Sequence, residues 1–377
     1  MKTDMKADIE PDMKVDMEPD MKADMKSKVS TSVRIVSIIL AVLMLACSVF
    51  VLGACSGKNS DGKGKESSSG SEEAADLRNK LDETCAYLEK AHDGAYKAGE
   101  SSSDWTIVVY SKDGKDFDYG GYLEDMEKYV TEKYKSKDKL DRDKATEWHH
   151  AALAVLACGG DPTKIGKDKD GKPVDLIADG TYNWSQTESL GQQGSNALIY
   201  ALITLDAGDF DVPEGSKYTR ESIIDDLLKY QYTDGSFALG EGEQGNTDIT
   251  AMAVQALAPY YTKIQRVQES VDQAVAYLSR EQQDSGLYIN GDDYSSETVS
   301  QVILALCALG RDPAEDEQFK KAGGSILECL MMFRMDDGSF SHTVPEDTSQ
   351  NGGDLMASQQ AGLAIAETIR VESNDKE

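Results

Sequence analysis

Positive charge is scarce in this chain of 377 residues: 39 lysines and arginines face 68 aspartates and glutamates, a net charge of -29. Such a surface repels phosphate backbones, which excludes a general nucleic-acid binder. Histidine is rarer still, at 4, and no cysteine pair has C-x-x-C spacing. The sequence therefore requires no metal and no cofactor. His149 and His150 adjoin Trp148 without an obvious second ligand and are expected to pack or hydrogen-bond. The body holds Cys85, Cys158, Cys307 and Cys329, each within an apolar helical pattern. They read as buried free thiols, with one disulfide as the alternative.

Residues 35 to 54 form an uninterrupted apolar run that follows Lys26, Lys28 and Arg34 and contains no charge. This is the pattern of an export signal. Its end, Leu52-Gly53-Ala54-Cys55, resembles the lipobox of bacterial lipoproteins, which implies cleavage of a signal peptide over 25–54 and lipidation of Cys55. An uncleaved anchor helix is the alternative, because about 20 residues span a bilayer. Residues 55–72 are rich in Gly, Ser and Lys and read as a flexible tether. Residues 1–24 repeat an acidic octad punctuated by proline, low in complexity and either disordered or not translated. Met25 is the expected start. The expected location is the extracytoplasmic face of the cell membrane, with the membrane as a partner through the lipid.

Acidic-glycine turns then recur about every fifty residues, at Asp179-Gly180, Asp234-Gly235, Asp284-Ser285-Gly286 and Asp337-Gly338, the sign of a repeat architecture. Each turn lies between a charged amphipathic segment and one nearly devoid of charge. The charged segments run about 73–92, 119–135, 173–179, 218–232, 267–283 and 316–334. The apolar ones run about 104–111, 145–158, 193–206, 247–260, 296–309 and 353–369. A segment such as ITAMAVQALA must be buried all round, whereas IIDDLL can bury only a stripe. Six buried helices inside six amphipathic ones predict an all-α fold, an α/α toroid over 73–371 with a polar tail at 372–377, because closure removes the exposed ends of an open array.

One polar residue falls at or near the start of each inner helix: Asp104, Glu147, Asn196, Asp248, Glu297 and Asp354. They either cap their helices or line a pocket at one mouth of the toroid, and the two roles are compatible. One turn deeper come Tyr200, Met252, Gln301 and Ser358, with Gln255 below Asp248. Buried glutamines need partners, in neighbouring helices or in a wet cavity. Trp105, Trp148, Trp184 and Tyr294 are expected to form a ligand-facing aromatic rim, while Phe237 and Phe340 pack structurally.

The QYTDGSF and DDGSF turns, the fifty-residue period and the inner-helix pattern resemble the terpenoid cyclase and protein prenyltransferase α/α toroid superfamily. The strings NTDITAMAVQALAPYY and SSETVSQVILALCALGRDP look closest to its extracellular branch, the bacterial toroid-repeat surface proteins with intrinsic factor and transcobalamin. The resemblance implies the toroid and leaves activity open. The D-x-D-D-T-A motif of the class II cyclases is incomplete in Asn246-Thr247-Asp248-Ile249-Thr250-Ala251, where of the three acidic positions only the central aspartate is kept, with asparagine at the first and isoleucine at the last. For a zinc prenyltransferase the D-x-C pair is missing, His342 lacks matching partners, and the later five inner helices carry no lysine or arginine to hold a diphosphate. A carbohydrate-active hydrolase or lyase remains as a catalytic alternative, with Asp248 and Glu297 as the weak candidate pair. The favoured expectation is a non-catalytic lipoprotein holding a small molecule, peptide or glycan at the toroid mouth. A corrinoid is a minor option, because the β-rich second domain of those relatives is not in this chain; a surface protein would have to supply that face.

Overall fold

The structure, a computed structural model, describes residues 68–350 and 352–374. The octad repeat, Met25, the signal peptide, Cys55 and most of the tether lie outside the described residues. Among the described residues twelve α-helices alternate between two rings. The outer ones are α1 Ser68–His92, α3 Tyr119–Lys133, α5 Leu176–Gly180, α7 Arg220–Leu228, α9 Gln265–Glu281 and α11 Ile326–Met331. The inner ones are α2 Ser101–Asp113, α4 Thr146–Ala157, α6 Ser195–Ala207, α8 Thr247–Leu257, α10 Ser296–Ala308 and α12 Leu355–Asn374. No helix among the described residues is long and apolar enough to cross a membrane.

Packing follows the composition of each helix. In α8 every residue from Asp248 to Leu257 is buried, as is every residue of α10 from Ser296 to Cys307. The amphipathic α9 buries only a stripe that includes Val267, Val271, Ala274 and Leu278, the spacing of one helix face. Each inner helix packs on the next, α2 on α4, then α6, α8, α10 and α12, and α12 returns to both α2 and α1. This closed ring is the α/α toroid expected from the sequence. Because an outer helix runs back between successive inner ones, the inner six are parallel and all begin at the same end of the ring.

The DGSF turns weld neighbouring repeats. Asp234 Oδ1 accepts from Ser236 N and Oγ, and Asp337 does the same for Ser339. Phe237 N donates to Thr250 Oγ1 and Phe340 N to Ser358 Oγ, which pins each buried phenylalanine over the start of its inner helix. Gly235 has φ +95 and Gly338 φ +85, and a Cβ would fall 2.3 Å from Gln273 O and 2.7 Å from Glu83 O respectively. Both positions therefore demand glycine. The second contact falls on α1, so the last turn closes the ring onto the first helix.

Two expectations need correction. The segment expected as one outer helix over 316–334 is broken into a single 3-10 turn, Glu317–Phe319, and the short α11. Gly324 has φ +114 and a Cβ on Gly323 would meet Ser285 O at 1.9 Å, so the chain here crosses too close to the preceding turn to stay helical. Two small antiparallel hairpins were also not anticipated: β1 Ile165–Lys167 with β2 Pro173–Val174, and β3 Ile289–Asn290 with β4 Asp293–Tyr294. The four cysteines of the body are free, Cys158 half-buried and the others buried.

Candidate functional site

The polar residues at the inner-helix starts share a register. Glu147, Asn196, Asp248 and Glu297 each occupy the second position of α4, α6, α8 and α10. Capping is done by others: Asn246 accepts from Ile249 N, and Ser295 from Thr298 N. Of the six expected residues only Asp354 acts as a cap, accepting from Ala357 N. The second-position carboxylates are thus freed from the helix ends, where they still feel the favourable field of the dipole.

These residues divide into two clusters. In the first, Asp104 accepts from Tyr122 Oη and Gly99 N, and its other oxygen lies 2.6 Å from His150 Nδ1. The opposite imidazole nitrogen lies 3.3 Å from Glu147 Oε2. Burial alone would hold His150 neutral, but the two carboxylates raise its pKa to about 10. Burial would likewise push Glu147 up, yet the His150 hydrogen bond and charge hold it below its usual value. This imidazolium between two carboxylates clamps α2 to α4 and has little capacity left for a ligand.

The second cluster is different. Glu297 Oε1 lies 2.7 Å from His342 Nδ1, and its Oε2 accepts from Ser295 and Ser296 hydroxyls. The Glu297 side chain is 3% exposed, that of His342 62%. Asp248 Oδ2 accepts from Asn290 Nδ2 at 2.8 Å. Burial lifts the Asp248 pKa to about 6; the Thr298 hydroxyl works against the rise, the Glu297 charge adds to it, and His342 and Asn290 oppose it. Thr298 lies close enough to favour the charged form, yet neither its Oγ1 nor Asp248 Oδ1 completes a hydrogen bond. Next in the ring, at the matching position of α6, Asn196 is 2% exposed and both its amide atoms are unpaired among the described residues. Buried polar atoms without partners are costly, and here several cluster at one rim. The exposed Tyr294 and Ile289 stand on the adjoining β3–β4 hairpin.

The remaining expected residues serve the interior. Trp105 on α2 meets Tyr200 on α6 with ring centroids 6.2 Å apart; since α4 lies between those helices in the ring, both side chains must reach inward past it, and they fill that sector. Trp105 Nε1 is left without a partner. The expected rim fails at Trp148 and Trp184, which are fully buried and packed edge to face, with their indole N–H groups given to Tyr134 and Thr187. Met252 is buried. Gln301 accepts from Gln255 and donates to Gln360, a side-chain ladder across α8, α10 and α12. The hydroxyl of Ser358 is taken by the Phe340 turn. The same holds for the incomplete cyclase string, where Asn246 caps α8 and Thr250 binds Phe237.

Sequence reasoning missed His342 and Asn290 as partners of the second cluster, whereas His150 hydrogen-bonds as expected. For His342 a signal existed: it stands two residues past Phe340, as Leu239 does past Phe237, and both carbonyls accept from the first amide of the preceding inner helix. Aligning the repeats thus places His342 over the start of α10, beside Glu297. Among the described residues no group of three or more His, Cys, Asp or Glu is arranged to hold a metal ion.

The A-macroglobulin TED domain family matches residues 217–303, from just before α7 into α10. No curated protein matches the chain. Among solved structures it is similar to the type II terpene cyclase MstE from Scytonema, at 12% identity over 79% of this chain and 99% of that one, TM-score 0.49. It is similar to the Candida albicans protein geranylgeranyltransferase-I complexed with GGPP, at 10% identity over 76% and 90%, TM-score 0.49. It is also similar to the unsaturated glucuronyl hydrolase from Bacillus sp. GL1, at 12% identity over 78% and 95%, TM-score 0.46.

Proposed function

We propose that this protein is a lipoprotein held by Cys55 on the extracytoplasmic face of the membrane, whose toroid captures a ligand at the α6–α8–α10 sector of its mouth without transforming it. The observation that carries this reading is Asn196, buried with both its donor and its acceptor unpaired, next in register to Asp248 with an unpaired oxygen of its own. A ligand rich in both donors and acceptors, as a peptide or glycan is, would satisfy that pair. The carboxylates disfavour an anionic ligand, which counts against a free diphosphate.

The test is Asn196→Leu, close in volume and apolar. It should raise the stability of the ligand-free protein, by about 1–3 kcal/mol for the buried amide no longer left unmade, and abolish the thermal shift produced by cell-wall glycopeptide fragments. A saturating ligand at a hundred times its dissociation constant adds about 2.7 kcal/mol, so its loss is visible. An unchanged ligand shift in the variant would sink the assignment of the site. For the anchor, Cys55→Ser should release the protein from membranes, and unchanged lipid labelling would exclude it.

A second reading is favoured by one feature. Asp248, with a pKa of about 6 beside the Glu297–His342 pair, can hold a proton near neutral pH as a general acid does. Release of reducing sugar from a glycan panel, lost in Asp248→Asn, would convert the capture protein into an enzyme.

A further inference from the structure

The chain's scarce basic charge is not evenly spread. Nine lysines fall between residues 133 and 172, the stretch that leads from the end of α3 through α4 to the β1–β2 hairpin. There a cavity of about 610 Å³ opens on the outer wall of the toroid, lined by Lys135, Lys137, Lys139 and Lys169 among others. Its size suits a small ligand. It lies apart from the mouth described above and shares no residue with it.

Three aspartates also line the cavity, Asp168, Asp175 and Asp179, and each is already engaged. Asp168 Oδ1 accepts from Asp170 N and Lys172 N and holds the hairpin turn. Asp175 accepts from Ala178 N as the cap of α5. Asp179 Oδ2 accepts from Tyr134 Oη at 2.8 Å and from Lys139 at 2.6 Å, and Tyr134 in turn accepts from Trp148 Nε1. The floor is therefore tied to the buried core of α4. The lysines opposite are in another condition. Among the described residues Lys135 pairs only with the exposed Glu132, Lys169 interacts with Asp168 through space alone, and Lys137 makes no hydrogen bond or ion pair.

We propose that this outer-wall cavity binds a phosphate-bearing ligand, gripped by the ammonium groups of Lys135, Lys137 and Lys169. A compact ammonium on a flexible stem suits a phosphate, whose several oxygens take donors from different directions. The Ser136 hydroxyl at the cavity wall supplies a further donor. The phosphate belongs either to a soluble molecule or to a lipid headgroup, and the two sources are separable.

The full-length chain is titrated at low ionic strength with inorganic pyrophosphate by calorimetry, and in parallel with vesicles of phosphatidylcholine carrying phosphatidylglycerol, using the Cys55→Ser form so that the lipid anchor does not contribute. Two double variants follow, Lys137→Gln with Lys169→Gln in the cavity, and Lys167→Gln with Lys172→Gln on the same hairpin but off its lining. The cavity pair should weaken binding at least about tenfold, about 1.4 kcal/mol, and the hairpin pair much less; melts should show all forms equally folded. Binding of pyrophosphate assigns a soluble phosphate; vesicle binding that the cavity pair weakens, without pyrophosphate binding, assigns a headgroup. Loss of affinity equal in the two pairs, or no binding of either probe, overturns the proposal.

Discussion

Asp248 should make the protein's stability respond to pH in a direction opposite to that of most carboxylates. Its folded pKa is raised from 3.8 to about 6, a shift of about two units, and each unit is worth about 1.4 kcal/mol. Above pH 6 the native state carries the full cost of a buried charge, about 3 kcal/mol. As pH falls the native state takes up the proton before the unfolded chain does, so stability is recovered between pH 6 and the unfolded value. Between about pH 7.5 and about pH 4.5 this recovery amounts to about 2 kcal/mol. Asp248→Asn keeps an oxygen for Asn290 but cannot titrate. Urea denaturation of both proteins at the two pH values isolates the effect, because the other carboxylates and His342 titrate in both. Wild type should gain about 2 kcal/mol on the variant upon acidification. If the two stabilities move in parallel, the carboxylate is not held in the dry environment described here, and the mouth is wetter than its burial implies.

Three further outcomes follow from the geometry. With 4 histidines in the chain, an NMR titration can follow each ring: His150 should stay charged to about pH 10, and His149, buried against the Gly180 carbonyl, should stay neutral down to about pH 3. The His150 contribution to stability is complete below its unfolded pKa and is lost as pH rises through about 10, so an ordinary imidazole titration near neutrality would refute the clamp. Gly338→Ala should cost roughly 1–3 kcal/mol for its left-handed backbone, and more for the contact with Glu83; a neutral result in chemical denaturation would contradict the turn-to-α1 contact. Glu367 on α12, 2% exposed, pairs with Lys112 of α2 and with Arg370, so Glu367→Gln should destabilise by about 1–3 kcal/mol through the loss of charge-assisted hydrogen bonds to two partly exposed cations, and a denaturation midpoint matching wild type would show the pair to be ornamental.

The ring was legible in the sequence because its signal is redundant. Alternating charged and apolar segments recur with the DGSF turns, and the inner helices of the structure begin within three residues of the expected starts at all six positions. Where legibility failed, the cause was backbone proximity rather than composition: 316–334 has helical periodicity, but Gly323 and Gly324 mark a crossing that only the folded neighbour explains. The site was half legible. Asp248 and Glu297 were singled out from their place at helix starts, and they do fall in one cluster. Their partners lie 42 and 45 residues away in the chain, Asn290 on the β3–β4 hairpin and His342 in the turn before α12; for His342 only the alignment of repeats carries a signal, and for Asn290 no local pattern speaks. Trp148 and Trp184 misled because an indole at a helix start has the same sequence signature whether it faces a ligand or another indole.

The seam between α12 and α1 has a consequence for how the molecule comes into being. Thr84 Oγ1 donates to Gly338 O across 254 residues of chain, and Arg334 pairs with Glu83 beside it. Contacts so distant in sequence form late. Until α12 arrives, the partly made body is an arc with two raw apolar ends, each a template for misassembly with a sister molecule. On the export route proposed above, a chain that threads through a membrane unfolded before it assembles would meet this hazard at every copy. The strong local turns, each docked on its neighbour by a glycine that admits no side chain, let the arc form in order so that only one joint is left to chance encounter.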